Sequence, residues 1–268
     1  MTEFVGAARA FAEALAQEAT AMLTAATERR PSARIKSPGD WSTELDARIE
    51  DHIRERIAKA FPTHSFLGEE GGFSHPSARR RRGSGDELLW VADPIDGTVN
   101  FTRGYPQYSV AIALLDHGEP VVGCIADPCR GELFSGALGQ GAVLNGRPLS
   151  VSATVDLGQA LAATVFPKPD AAFMGSYLAR FGTVVRALAG VRRAGSMALE
   201  LAYLAAGRVD CFWQRGMGPW DAAAGVLLIR EAGGCIFTLD GLPWMQSQEV
   251  CAAGPGVADE WKALLLDC

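Results

Sequence analysis

Residues 3 to 29 alternate Ala, Leu, Phe and Met with Glu, Gln and Arg at helical spacing until Pro31 stops them, which predicts a long amphipathic opening helix. A second helix is predicted from about Thr43 to Ala60, where Leu45, Ile49, Ile53 and Ile57 form an i, i+4 stripe that ends before Pro62. From His64 the pattern turns extended: Ser65 to Glu69, Leu88 to Asp93 and Tyr108 to Leu115 read as strands. Asp116-His117-Gly118-Glu119 is a turn into Val121 to Ala126, and Leu133 to Ala137 follows Arg130-Gly131, so this part is a meander.

The second half reads as strand 160–166, helix 172–189, a short strand near Val191, helix 196–206 and strand 209–213. Helix 220–232, strands 235–239 and 249–253 and a last helix from 257 complete it. Alternating helices and strands predict α/β layers, with mixed sheets because the central hairpins are antiparallel. There is no internal repeat. Residues 71–86 are polar and Gly-rich without an apolar period, and read as a mobile loop between two strands.

Composition bounds this picture. A chain of 268 residues, 48% hydrophobic and 21% charged, is one large domain or two small ones. At that size it buries roughly three quarters of its unfolded surface, so a dry site needs no disulfide or metal staple. The six cysteines are scattered without a C-x-x-C pair, which reads as reduced thiols in a cytoplasmic protein. The start, Met1-Thr2-Glu3 leading to Glu13 and Glu18, lacks the pattern of a signal peptide, and no apolar run approaches the ~20 residues of a membrane span. A net charge of −6 has the wrong sign for a phosphate-backbone binder. Arg79 to Arg82 could contact phosphates, but they lack interleaved aromatics and read more simply as a solvated loop tip.

Candidate chemistry gathers in Trp90-Val-Ala-Asp93-Pro94-Ile95-Asp96-Gly97-Thr98-Val99-Asn100-Phe101. A strand is predicted to end at Asp93, since Pro94 forbids a central strand, and Asp96-Gly97-Thr98 favour a turn and a helix start. Two carboxylates so placed repel unless they share a proton or a cation, and hard oxygen ligands suit Mg²⁺. A short helix beginning at Gly97 would add free N–H groups for a phosphate. The plain alternative is a turn with Asp96 capping the next helix. Glu69 and Glu70 end another apolar strand. Asp221 follows Gly218-Pro219-Trp220 and is by itself most simply a helix cap, and Asp46 is readable as ordinary surface charge.

Taken together, these segments resemble the inositol monophosphatase family of Mg²⁺-dependent, lithium-sensitive phosphatases. The matching residues are Lys36-Ser37-Pro38 with Asp40 and Thr43 through Asp46, Gly68-Glu69-Glu70, Trp90 through Phe101, and Gly123 through Gly146. Gly195-Ser196, Ala206 through Asp210 and Pro219-Trp220-Asp221 continue the match in order. The resemblance implies a layered αβαβα sandwich with mixed sheets, of the sugar-phosphatase kind. It further implies a single domain over 1–268, with a metal-binding half about 1–150 and a substrate-recognition half about 151–268, commonly as a homodimer.

It also implies roles. Glu69, Asp93 and the Ile95 carbonyl would hold one Mg²⁺, Asp93, Asp96 and Asp221 a second, and Glu69 with waters a weaker third. Thr98, hydrogen-bonded toward Asp46, would help deprotonate a metal-activated water that attacks a phosphomonoester, while Glu69 would act at the same centre. Asp96, Gly97, Thr98, Gly195, Ser196, Met197, Gln214 and Asp221 would contact substrate. Two positions depart from the common pattern: Gln214 stands where a Glu usually meets the leaving group's hydroxyls, and Met197 where a small Ala follows Gly-Ser.

The leading expectation is hydrolysis of a small phosphorylated polyol or amino alcohol, such as inositol 1-phosphate or histidinol phosphate. A 3′-phosphoadenosine phosphatase or fructose-1,6-bisphosphatase activity is the alternative on the same fold, with the Arg79–Arg82 loop or Arg215 reading a second phosphate. A regulatory protein contacting transcription machinery is the alternative of another class, since Val191 through Ser196 resembles that bacterial branch locally. Membrane and nucleic acid are not expected partners, and a glycosidase is disfavoured because its acid–base pair needs at least ~5 Å of separation and no metal cluster.

Overall fold

The central strands carry apolar side chains on both faces, and alternation along each strand sorts them into different layers. The computed structural model describes residues 2–29, 31–75 and 88–267. Helix α1 (Thr2–Ala26) is followed by a hairpin of β1 (Arg34–Ser37) and β2 (Asp40–Ser42), then by helix α2 (Glu44–Ala60). Strands β3 (Ser65–Gly68), β4 (Gly72–Ser74) and β5 (Leu88–Asp96) lead to the short helix α3 (Thr98–Arg103). Strands β6 (Ser109–Asp116), β7 (Glu119–Asp127), β8 (Glu132–Ala137), β9 (Ala142–Leu144) and β10 (Arg147–Pro148) form the meander. Strand β11 (Leu161–Ala163), helix α4 (Met174–Ala187), β12 (Gly190–Arg192), α5 (Met197–Ala205), β13 (Cys211–Arg215) and α6 (Pro219–Glu231) follow. Strand β14 (Cys235–Phe237), α7 (Trp244–Ser247), β15 (Glu249–Ala253) and α8 (Ala258–Leu266) complete the described chain.

Among the described residues one sheet has the order β10-β9-β8-β7-β6-β5-β3-β4 and a second the order β12-β11-β13-β15-β14. Both are mixed: β3 runs parallel to β5, and β11 parallel to β12 and β13, while their other pairings are antiparallel. Trp90 and Ala92 of β5, with Val110, Ile112 and Leu114 of β6, pack beneath α1 and α2. Val91, Ala111, Ala113 and Leu115 point the other way, onto α5 and α6. Phe212, Val250 and Ala252 of the second sheet meet that same helical layer, whereas Trp213, Cys251 and Ala253 face Trp261 and Leu265 of α8 and Val184 of α4. The layers therefore run α1/α2, sheet, α5/α6, sheet, α4/α8, which is the expected αβαβα sandwich.

Helix α6 lies in the middle layer because it is apolar all round: Ala222 through Ile229 are all buried. Its small residues let the neighbouring helix close in, since a Cβ on Gly225 would fall 2.4 Å from Leu201 Cβ. No described helix is long and apolar enough to cross a membrane, and Cys124, Cys129, Cys211, Cys235 and Cys251 are free thiols.

Three expectations need correction. Strand β5 does not stop at Asp93; it continues to Asp96 through a register shift between Asp93 and Asp96, and the proline without an N–H falls inside that irregularity. The strand expected over 160–166 ends at Ala163, because Val165 N donates to the Gln214 side chain instead of a neighbouring strand. The segment expected to be all loop over 71–86 contains β4, which pairs with β3; its remainder, with Arg79 to Arg82, lies outside the described residues.

Candidate active site

The site opens where the parallel pair β3 and β5 comes apart at its carboxyl end. Their pairing reaches Gly68 opposite Ala92, and Glu69 N then donates to Ala92 O at 3.3 Å before the chain turns away. Among the described residues no strand pairs with β5 on this side beyond that point, and Asp93 and the bulge residues lie at the parted edge. Open α/β sheets place ligands at such carboxyl ends.

Asp93 is 2% exposed, and its Oδ1 accepts from Ile95 N at 2.9 Å, which folds the bulge back on itself. After Asp96 the backbone at Gly97 adopts φ +92°, and a Cβ there would lie 3.0 Å from Gln107 O and 3.2 Å from Gly195 O. Only glycine suits both the left-handed angle and this packing. Gly97, not Asp96, is the N-cap of α3, and it makes no side-chain capping bond. The alternative in which Asp96 caps the next helix is thus corrected in its partner: Asp96 Oδ1 accepts from Met197 N at 3.1 Å and Oδ2 from Ala198 N at 2.8 Å, at the start of α5. Ser196 Oγ and Ser109 Oγ also donate to Oδ2. Electrostatically this suits Asp96, because a helix start offers free N–H groups to an anion.

Asp221 arrives from the other half of the chain as the third residue of α6, where its Oδ2 accepts from Gly218 N at 2.7 Å. It is a cap, as the plain reading had it, and it is also a cluster member. One carboxylate oxygen each from Asp93, Asp96 and Asp221 lies within 4.8 Å of the others. Burial raises the proton affinity of all three above the ordinary carboxylate range. Repulsion from Glu69, Asp96 and Asp221 adds to the rise at Asp93. Glu69 shares a hydrogen bond with Asp93, and burial pushes it up to about 7 despite Lys36 nearby. An all-oxygen, like-charged and desolvated donor set is what a hard divalent cation such as Mg²⁺ relieves, so these residues fit one.

Asp46, read as possible surface charge, is completely buried. It closes a capping box with Thr43 at the start of α2, accepting from Thr43 N at 2.8 Å. Its other oxygen lies 3.0 Å from Thr98 Oγ1, which is equally close to Ile95 O. The single hydroxyl proton of Thr98 therefore serves one of these acceptors at a time.

Four residues expected to touch substrate are engaged with the protein. Ser196 is fully buried against Asp96 and Ser109, and the Met197 side chain packs on the apolar cluster around α5 and α6. Gln214 is 3% exposed; its Oε1 accepts from Val165 N and Thr164 Oγ1, and its Nε2 donates to Arg215 O. Gly195, at φ +93°, sits against Asn100, whose Nδ2 donates to Ala194 O and Gln107 O.

Three polar residues escaped the sequence reading. Ser109 and Asn100 carry no distinctive sequence signal. Glu50 did: it follows Asp46 by four residues, so two acids share the inward side of a helix whose apolar stripe is Leu45, Ile49, Ile53 and Ile57.

A layered α/β sandwich that closes buried carboxylates around the carboxyl ends of parallel strands defines a phosphoric monoester hydrolase here, once its relatives are considered. Residues 3–267 match the inositol monophosphatase family, and the chain belongs to that family, whose members in general depend on Mg²⁺. It is 44% identical over 212 residues to a Pseudomonas aeruginosa protein named Nus factor SuhB, covering 78% of this chain and 76% of that one. Inositol-1-monophosphatase of Rhizobium meliloti is 42% identical over 200 residues, 75% of this chain and 73% of the relative. The solved inositol monophosphatase of Anabaena superposes with a TM-score of 0.83 at 36% identity, over 98% and 96% of the two chains.

Proposed function

We propose that this enzyme hydrolyses the phosphomonoester of a small polyol or amino alcohol, with inositol 1-phosphate the first candidate and histidinol phosphate another, using two or three Mg²⁺ ions. The observation that carries the reading is the convergence of Asp93, Asp96 and Asp221 within 4.8 Å, two from β5 and one from α6. Glu69, Asp93 and the Ile95 carbonyl would hold one ion, Asp93, Asp96 and Asp221 another, and Glu69 would share a third. Bound there, Mg²⁺ supplies charge neutralisation for the ester and a lowered pKa for water.

The protein's own groups then position and deprotonate. Gly97 N and Thr98 N, at the start of α3, receive the phosphate oxygens. Thr98 Oγ1 takes a proton from the attacking water while passing its own to Asp46 Oδ1, 3.0 Å away. Burial of Asp46, which raises its proton affinity, favours that transfer. Gly195, Ser196, Met197 and Gln214 shape the pocket from behind by fixing Asp96 and the strand ends. The chain acts as one domain whose two halves meet at this site, and as a homodimer in the cytoplasm.

A second reading has one observation behind it: a relative at 44% identity is named a Nus factor. We propose a regulatory role of that kind as an addition to catalysis. A panel of phosphomonoesters and bisphosphates assayed with Mg²⁺ tests the substrate: turnover of inositol 1-phosphate above a generic ester supports the main reading, and preference for a nucleotide or sugar bisphosphate overturns it.

A further inference from the structure

We propose that Glu50 is a positioning residue of this site, whose buried carboxylate clamps the turn after β3 and so aims Glu69 at the acid cluster. The inference rests on the metal role proposed above for Glu69. Glu50 lies on α2 and is 1% exposed. Its Oε2 accepts from Glu70 N at 2.7 Å and its Oε1 from Gly71 N at 2.8 Å. Glu69 is thereby fixed from both sides, since its own N–H donates to Ala92 O while the next two amides are held by one side chain.

The carboxylate lies close against the backbone of this turn. A Cβ on Gly68 would fall 2.2 Å from the Glu50 carboxyl carbon, and one on Gly71 would fall 2.7 Å from Oε1. A side chain at either end of Gly68-Glu69-Glu70-Gly71 would have to push the Glu50 carboxylate off these amides. A carboxylate buried on a helix needs hydrogen-bond partners, and these two amides provide them. Each of the two amides has its own Glu50 oxygen, and a glutamine would set an NH₂ group against one of them. Arg54, with Nη1 3.8 Å from Oε1, supplies a nearby positive charge. Helix α2 then serves the site twice on one face: Asp46 receives Thr98, and Glu50, one turn later, sets the loop of Glu69.

The test uses the full chain with E50Q, E50A, E69Q and, as a packing control on the same helix, I53V. Readouts are Mn²⁺ binding by calorimetry, hydrogen exchange at the Glu70 and Gly71 amides, and thermal unfolding. Residues that orient metal ligands change affinity about 10–100-fold when lost, so E50A should bind Mn²⁺ weaker by that range and exchange both amides faster. E50Q, keeping one acceptor, should deprotect one amide and fall between. I53V should unfold earlier yet bind and exchange as the wild type does. The proposal is overturned if folded E50Q binds Mn²⁺ and protects both amides like the wild type, or if I53V loses affinity equally. Should E69Q bind Mn²⁺ normally, the metal role of Glu69 fails, and the amide exchange still decides whether Glu50 holds the turn.

Discussion

Asp96 joins the acid cluster and also accepts hydrogen bonds from Ser196, Met197, Ala198 and Ser109. An amide in its place sets an NH₂ group among donors, and an unsatisfied buried polar group costs about 1–3 kcal/mol. D96N should therefore lose both turnover and stability. Asp93 receives one backbone bond, from Ile95 N, and is otherwise surrounded by acids. D93N should abolish turnover yet match or exceed the wild-type unfolding temperature in EDTA, and a clear drop there would refute the repulsion account. Gln214 gives a third case. A Glu keeps the acceptor for Val165 N but turns the donor facing Arg215 O into a second acceptor. Q214E should unfold earlier, with substrate ranking nearly unchanged. The sequence marked Asp93, Asp96 and Asp221 as chemically unusual, but the spent state of Gln214 and Ser196 depends on neighbours about fifty and a hundred residues away.

The elements divide in the same way. Helices α1 and α2 and the β6–β7 hairpin were legible because each signal is local: an apolar stripe, a stopping proline, a two-residue His117-Gly118 turn with both residues at positive φ. The β1–β2 hairpin and β9–β10 were not, being short strands with no continuous apolar alternation. The run of β5 past Pro94 was hidden for a different reason, since only the register with β6 reveals the bulge that accommodates the proline. Two variants test how elements carry the site. T43A removes the capping hydroxyl of α2, which is worth about 1 kcal/mol, and leaves Asp46 one donor fewer, so kcat should fall along with stability. G97A forces a Cβ against Gln107 O at a left-handed position, which costs about 1–3 kcal/mol. It should also slow turnover by displacing the start of α3, and wild-type kinetics in folded G97A would count against the phosphate role of that turn.

At the scale of the whole molecule, the metal-free protein holds several carboxyls whose proton affinity is higher folded than unfolded: Asp93 and Asp221 well above normal, Glu69 at about 7 and Glu200 at about 7. Unfolded carboxyls titrate near ~4. Between these limits the folded state binds more protons, so its stability is greatest at the acid end of the window and declines as pH rises. In EDTA the unfolding temperature should fall from about pH 5 to about pH 8. Mg²⁺ should remove most of that slope and restore the activity that EDTA abolishes, with the part due to Glu200 removed by E200Q. A slope indifferent to Mg²⁺ would separate the cluster from the cation. The α/β class, the order of most elements, the family resemblance and the acids at strand and helix ends can be read along the chain, because these are written in short-range periodicity and local motifs. Packing brings Asp221 to Asp93 and Asp96, buries Asp46 against Thr98, and sets Glu50 on the turn of Glu69. Those are contacts between elements distant in the chain, set by how two sheets and three helical layers pack, and no local pattern encodes the distance between them.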